Sequence, residues 1–369
     1  MATELLGFEI GATSAWLVWI LPFAAALIIP GIAKLSKYGT GHLSKHATGY
    51  IAVGFALMST LSAASLIPIV LEAGEIHHQI PWIESLNLNA GVLADPLSII
   101  MSNVVGWISF LILIYSTGYM KGDKDITRFW FWMMFFIGSM QLIVMSDNLL
   151  QVFFGWEGVG LASYALISFW YRDKKKDHVG TEGRTVLGML DYYSPTHAGM
   201  KAFIMTKVGD VMMIAGMLLI FVYAGTFGFK ELLGDTEWAV TMASQGLLVP
   251  AFVLIFGGAV GKSAQFPLNE WLLEAMTGPT AVSALIHAAT MVKAGVFLVA
   301  RIGPLVFALG AAGILADQFF EIIAWVGAIT ALLLATQAMV NPEIKKVLAY
   351  STGSQIGYMM MALGVAGLS

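Results

Sequence analysis

The 369-residue sequence contains no cysteine and few charges, and both shortages exclude functions. Without cysteine the chain can form neither a disulfide nor the thiolate set that most iron-sulfur clusters need. Any redox centre therefore belongs to a partner. Aspartate, glutamate, lysine and arginine together make up only 11% of the residues, and 58% are hydrophobic. With a mean hydropathy of +0.80, that balance excludes an ordinary soluble domain. The formal charge of -4 gives no nucleic-acid footprint. No nucleotide-binding motif is present. The start, MATELLGFEIGATSAW, lacks the basic region and small-residue cleavage pattern of a signal peptide, so the first apolar run is expected to stay as a helix.

Apolar runs of about 20 residues, the length that crosses a hydrocarbon core, are abundant. Ten stretches predict membrane helices: Ser14–Ala33, Thr48–Leu71, Pro96–Tyr119, Arg128–Ser146, Leu149–Trp170, Gly199–Tyr223, Leu247–Phe266, Pro279–Arg301, Gln318–Val340 and Pro342–Gly367. Leu305–Leu315 is apolar but too short. Lysine and arginine collect in alternate loops, at Lys34, Lys37 and Lys45, at Lys121, Lys124 and Arg128, and at Arg172, Lys174, Lys175, Lys176 and Arg184. Those loops read as cytoplasmic. The loops between them carry Glu72, Glu75, Glu84, Asp147, Asp235 and Glu237 and read as external, which puts both termini outside. The longest loop, Tyr171 to His197, reads as a docking surface, and Ala224 to Gln245 as a short external hairpin. FWFWMMFF, at residues 129–136, is bundle packing and not a cofactor box.

Charge at membrane depth marks a path for ions. The stretch GKSAQFPLNEWLLEAMTGPTAVSALIHAATMVKAG places Lys262, His287 and Lys293 in apolar segments, with Pro267 interrupting the helix just beyond Lys262. Glu157, Lys207 and Asp210 lie in other predicted helices. Each has a plainer reading. Glu157 can be a packing partner for a lysine. Lys207 and Asp210, at i and i+3, can neutralise each other. His287 can be an ordinary hydrogen-bonded histidine, and Lys201 and Lys345 sit where their amines can snorkel to water. Lys293 lies about 240° round the helix from His287 and points elsewhere. Glu270 and Glu274 share a face and read as a solvated edge rather than a funnel.

DNLLQVFFGWEGVGLASYALISFWY, MKAFIMTKVGDV, the stretch from Gly261 to Met291 and IKKVLAYSTGSQIGYM resemble the large antiporter-like subunit of respiratory complex I, NADH:quinone oxidoreductase. That superfamily also includes large subunits of Mrp-type cation/proton antiporters and of membrane-bound hydrogenases. The resemblance implies an all-α, polytopic membrane bundle of about ten helices, built on inverted five-helix repeats that each contain a broken helix. It divides the chain into a three-helix segment (residues 1–125), a complete first repeat (126–302) and the start of a second (303–369). It puts the family's switch on Glu157 and Lys262, with Lys207 and Asp210 near that glutamate, and continues the relay through His287 and Lys345.

There are two departures from the family pattern. Lys293 stands where the large subunit is expected to be uncharged and its smaller relatives carry lysine, so the path is expected to be wired differently here, with Lys293 counted among the relay residues. The chain also stops at Ser369, so the rest of the second repeat, its lysine and the family's lateral helix are expected outside it. The function implied is proton translocation through a Glu/Lys/His relay, coupled to electron transfer elsewhere. This subunit would hold no cofactor. Iron-sulfur clusters, flavin and quinone would sit in partner subunits, beside smaller antiporter-like subunits in the cytoplasmic (inner) membrane. An Mrp-type sodium/proton antiporter subunit or an ion-translocating hydrogenase subunit is the alternative, and a structural anchor with a dead path is a third reading.

Overall fold

The computed structural model describes residues 4–5, 8–35, 43–83, 88–186, 189–288, 290–311, 313 and 317–368. Lys37 and Glu84, used above for orientation, and Ser369 lie outside these. The chain forms two compact units, one of residues 1–162 with 288–290 and one of residues 163–287 with 291–369. The boundary falls inside a helix.

The first unit is built on α1 (Ile10–Leu35), α2 (Leu43–Ala73), α3 (Pro96–Tyr119) and α4 (Ile126–Met145). A short β1 (Glu4–Leu5) and β2 (Phe8–Glu9) pair precedes them. α1 packs on α2 and α4, and α2 packs on α3. The aromatic run in α4 packs inside the unit, with Phe129, Trp130, Met133, Met134 and Phe136 all buried. Between α2 and α3, where a plain acidic loop is expected, lies an antiparallel hairpin of β3 (Ile76–Ile83) and β4 (Leu88–Ala94). Its side chains clamp the turn after α4: Gln79 donates to Asp147 at 2.7 Å, His77 Nε2 lies 3.2 Å from the same carboxylate, and Gln151 exchanges two bonds with the Gly91 main chain. The buried Asp147 is thus tied to the hairpin rather than presented to solvent.

α5 (Leu149–Ile167) contains the boundary between the units. The second unit contains α6 (Pro195–Ala224), α7 (Phe229–Gly234), α8 (Glu237–Ser244), α9 (Leu248–Lys262), the one-turn α10 (Trp271–Glu274), α11 (Thr280–Ala288, except its last residue), α12 (Met291–Ala311), α13 (Asp317–Met339) and α14 (Ile344–Leu368). α6 packs along α9, α12 packs against α9 and α14, and α13 packs against α14. Among the described residues, eight helical stretches are long and apolar enough to cross a bilayer. They become nine if α8 and α9, bent by 103°, count as one broken span. α14 coincides with the tenth predicted stretch and has the length of a span, but it carries Ser351, Thr352, Ser354 and Gln355 and stands outside that set.

Three local expectations change. The segment from 224 to 245 is helical, forming α7 and α8, after Gly225 ends α6 with φ +68°, a conformation glycine adopts freely. The loop from 171 to 197 contains a second hairpin, β5 (Val179–Val186) with β6 (Met189–Tyr193). The eighth apolar stretch does not end at Arg301: α12 runs on through Pro304 to Ala311 and takes in much of Leu305–Leu315. Arg301 is tolerated inside a helix because its guanidinium lies over the rings of Phe297 at 5.3 Å and Phe229 at 5.8 Å.

α6 and α9 approach so closely that a Cβ on Gly209 would lie 2.5 Å from the Gly257 carbonyl oxygen, and one on Gly216 would strike the Ala251 carbonyl. Such small-residue contacts let helices meet backbone to backbone in lipid. Gly209→Ala is expected to cost about 1–3 kcal/mol through overpacking, read as a lower thermal midpoint of the detergent-solubilised protein.

The loop before α6 is also fixed. Asp173, at φ +45°, accepts from the Thr196 N–H at 3.0 Å and from the Thr196 hydroxyl. Ser194 accepts from the His197 N–H, so two of the first-turn donors of α6 are satisfied. Burial opposes ionisation of Asp173, but the Thr196 bonds, with His178 and Ser194, outweigh it and hold the carboxyl below its ordinary value. The cap's contribution is therefore complete above the ordinary carboxylate value near 4 and disappears as pH falls through the lower folded value. Asp173→Ala should cost about 1 kcal/mol at neutral pH, seen as faster amide exchange in the first turn of α6, and the difference from the parent should vanish in acid.

Candidate functional site

Lys262 is the last residue of α9, and local chain chemistry explains why the helix stops there. Gln265 N–H reaches back to the Val260 carbonyl at 2.9 Å and Ala264 N–H to the Gly261 carbonyl at 3.4 Å, with Ala264 left-handed at φ +49°. This is a Schellman cap with alanine where glycine is usual. Pro267 lies beyond a helix end that is already closed. Two further bonds hold the unwound segment: Trp271 Nε1 donates to the Gly261 carbonyl at 3.0 Å, and the Phe266 N–H donates to Thr330 Oγ1 on α13 at 2.9 Å.

The break leaves the Lys262 amine, on a side chain 1% exposed, facing α6. It donates to Asp210 Oδ2 at 3.2 Å. Lys207 Nζ lies 3.4 Å from the same oxygen. Asp210 is 2% exposed, so one buried carboxylate is shared between two amines from two helices. Each contact is worth about 5 kcal/mol gross at an effective dielectric of 20, and the cost of burying the charges offsets much of it. Lys207 and Asp210 are thus not a self-contained pair.

Lys262 is met by Asp210, the carboxylate of its own unit. Glu157, the expected partner, sits half-buried on α5 within the first unit. His287 stands on the last turn of α11, with both ring nitrogens buried and without a hydrogen-bond partner among the described residues. Lys293, on the first turn of α12, donates from Nζ to the His287 main-chain carbonyl at 2.9 Å. Side-chain direction reunites two residues that helical spacing alone would separate, because the helix is interrupted between them. Lys345 is half-buried in the first turn of α14. Its neighbour Lys346, not singled out from the sequence, is the buried one, 3.7 Å from Glu343 and with its amine 5.5 Å from the Tyr193 ring centre.

A second charged group was also hidden in the sequence. Lys201 Nζ donates to Glu274 Oε1 at 2.6 Å and to Glu270 Oε2 at 3.2 Å. His197 Nε2 lies 3.7 Å from Glu274 Oε2. The Glu274 side chain is 3% exposed and that of Glu270 is 55% exposed, so the solvated-edge reading holds for Glu270 and fails for Glu274. Lys201 and Glu274 are 73 positions apart, with no motif linking them, and only the packing of α10 on α6 joins them.

These geometries acquire a family context from known proteins. Residues 185–369 match the family described as NADH:quinone oxidoreductase/Mrp antiporter, TM, and residues 80–130 match that of the NADH-Ubiquinone oxidoreductase (complex I), chain 5 N-terminus. NADH-quinone oxidoreductase subunit L of Escherichia coli is 43% identical over 281 residues, covering 76% of this chain and 41% of that protein. NAD(P)H-quinone oxidoreductase chain 5 of a Picosynechococcus species is 40% identical, covering 96% of this chain and 50% of that one. The chain thus spans about half the length of the curated relatives it matches. The solved Mrp complex from a Dietzia species superposes with a TM-score of 0.75 at 26% identity, over 95% of this chain and 34% of its own. The archaeal membrane-bound sulfane sulfur reductase shares the fold, with a TM-score of 0.74 at 18% identity, over 95% and 52%. On this match to half of its length, and on the helices and interrupted spans that accompany it, the chain belongs to the NADH:quinone oxidoreductase/Mrp antiporter transmembrane family.

Proposed function

We propose that this chain is the membrane part of a proton-translocating subunit of a complex I-like NADH (or other donor):quinone oxidoreductase. It would act as a translocase with no redox chemistry of its own. The observation that carries the reading is the buried Asp210 carboxylate shared by Lys207 and Lys262 at a helix break. One anion between two amines can hold a different number of protons when its partners shift, which a transported proton requires. Burial disfavours a lysine's charge and a nearby carboxylate restores it. A change that draws carboxylate away from Lys262 would therefore release its proton towards His287. Glu157 is the family's candidate for that switch, answering to a charge in a neighbouring subunit, and Lys345 would carry the path onward.

The basic loops support a cytoplasmic face that includes the start of α6, with the amino terminus external in the inner membrane. On that face, His197, Glu274 and Lys201 supply titratable groups at the mouth of α6. Moving one charge against 100 mV costs about 2.3 kcal/mol. In this reading that energy reaches the chain through contacts with partner subunits, which hold the iron-sulfur clusters, flavin and quinone beside smaller antiporter-like subunits.

The test is proton uptake by membrane vesicles that hold the assembled complex. Asp210→Asn, Lys262→Met and Glu157→Gln are each expected to lower translocation by about tenfold or more while the complex still assembles. Undiminished translocation in both the Lys262 and Glu157 variants would refute the relay. The resemblance to the Mrp complex supports a second reading, a cation/proton antiporter subunit. Mass spectrometry of the native complex separates the two. Quinone-reductase and iron-sulfur partners are expected, and a set of small antiporter subunits without a redox protein would instead establish the antiporter.

A further inference from the structure

We infer that Lys293 is a positioning residue that holds His287 in place across the gap between α11 and α12. This inference rests on the reading of His287 as a relay group. α11 ends at Ala288 and α12 begins at Met291, and the last carbonyls of a helix have no donor within that helix. The Lys293 amine fills that role for His287, donating to its carbonyl oxygen at 2.9 Å. A cation at a helix carboxyl end is also favoured by the helix dipole.

The lysine is anchored firmly enough to do this. Ser263 Oγ, one residue past Lys262, donates to the Val292 carbonyl at 2.6 Å. Gly295 lies so near α9 that a Cβ there would sit 2.9 Å from both the Cα and the carbonyl oxygen of Ala259. Residues on both sides of Lys293 are thus fixed to the end of the helix that carries Lys262. The histidine ring has no such anchor, since neither of its nitrogens finds a hydrogen-bond partner among the described residues. Its place is set through its main chain, and the Lys293 bond ties that main chain to the Lys262 end of α9. In this arrangement the lysine's task is to donate a hydrogen bond, and it needs neither to release nor to accept a proton.

That distinction makes the inference testable in the assembled complex with Lys293→Met, Lys293→Arg and Lys293→Gln. Arginine keeps a donor but stays protonated and cannot pass a proton on, and glutamine keeps a neutral donor. Methionine has none. Translocation should fall severalfold in Lys293→Met, with amide exchange across 284–294 faster by about tenfold, the effect of losing one bond to a charged donor. At least one of the arginine and glutamine variants should recover most of both. If both donor variants assemble with slow exchange yet translocate no better than the methionine variant, Lys293 itself carries the proton and the inference falls. It falls equally if Lys293→Met matches the parent in rate and exchange. Should the methionine variant fail to assemble, the donor variants alone decide: activity in either supports the tie, and inactivity in both overturns it. Normal translocation in Asp210→Asn would count against the proposed function while leaving the exchange result intact.

Discussion

An amine buried in an apolar bundle must be met by a carboxylate, and in this protein one aspartate meets two amines. Asp210 can reach Lys262 because α6 and α9 touch backbone to backbone at Gly209 and Gly257. The helix end is closed by its own cap at Ala264, and Trp271 and Thr330 hold the unwound segment that follows. The close helix contact brings the charges together, and the break gives the lysine its place at a helix terminus. Without either feature, the apolar surroundings would make the charge prohibitively costly.

The same logic recurs at the second interruption. There α11 ends at Ala288 and the Lys293 amine donates to the carbonyl of His287 in its last turn. The helix ends beside the two interruptions are joined by the bond from Ser263 to Val292. The helix ends that carry Lys262 and Lys293 are therefore mechanically linked, while each retains polar main-chain groups of the kind that helices in lipid otherwise hide. Irregular backbone at membrane depth is tolerated where protein surrounds it, and Ser263, Ala264 and Gln265, which follow Lys262, are buried.

Much of the fold was legible because lipid imposes a simple rule on composition. Each of the ten predicted apolar stretches overlaps helix, although the eighth spans both α11 and α12, and Lys262 of the GKSAQ motif marks a real interruption. Two hairpins were missed because their strands lack clean alternation: the burial pattern of β3 has three exposed residues in succession. The helix through Arg301 was cut short because a charge reads as an end until its aromatic neighbours are known. Within the candidate site, Lys262, Asp210 and Lys207 could be named as polar groups out of place. That Asp210 serves both lysines could not be read, since Lys262 lies 52 positions away and nothing in the spacing sets the rotation of α6 against α9.

The sequence by itself determined that the chain is apolar and helical, which residues carry charge at membrane depth, and to which family its motifs point. Those properties depend on composition and local spacing, which need no folded partner. Tertiary structure alone decided which charges meet. It joined Lys262 to Asp210, buried Glu274 against Lys201, selected Lys346 over Lys345 for burial, and turned Lys293 back to His287. The physical reason is that an ion pair or a cap depends on distances of about 3 Å. Such distances between separate helices are fixed only by how their backbones pack.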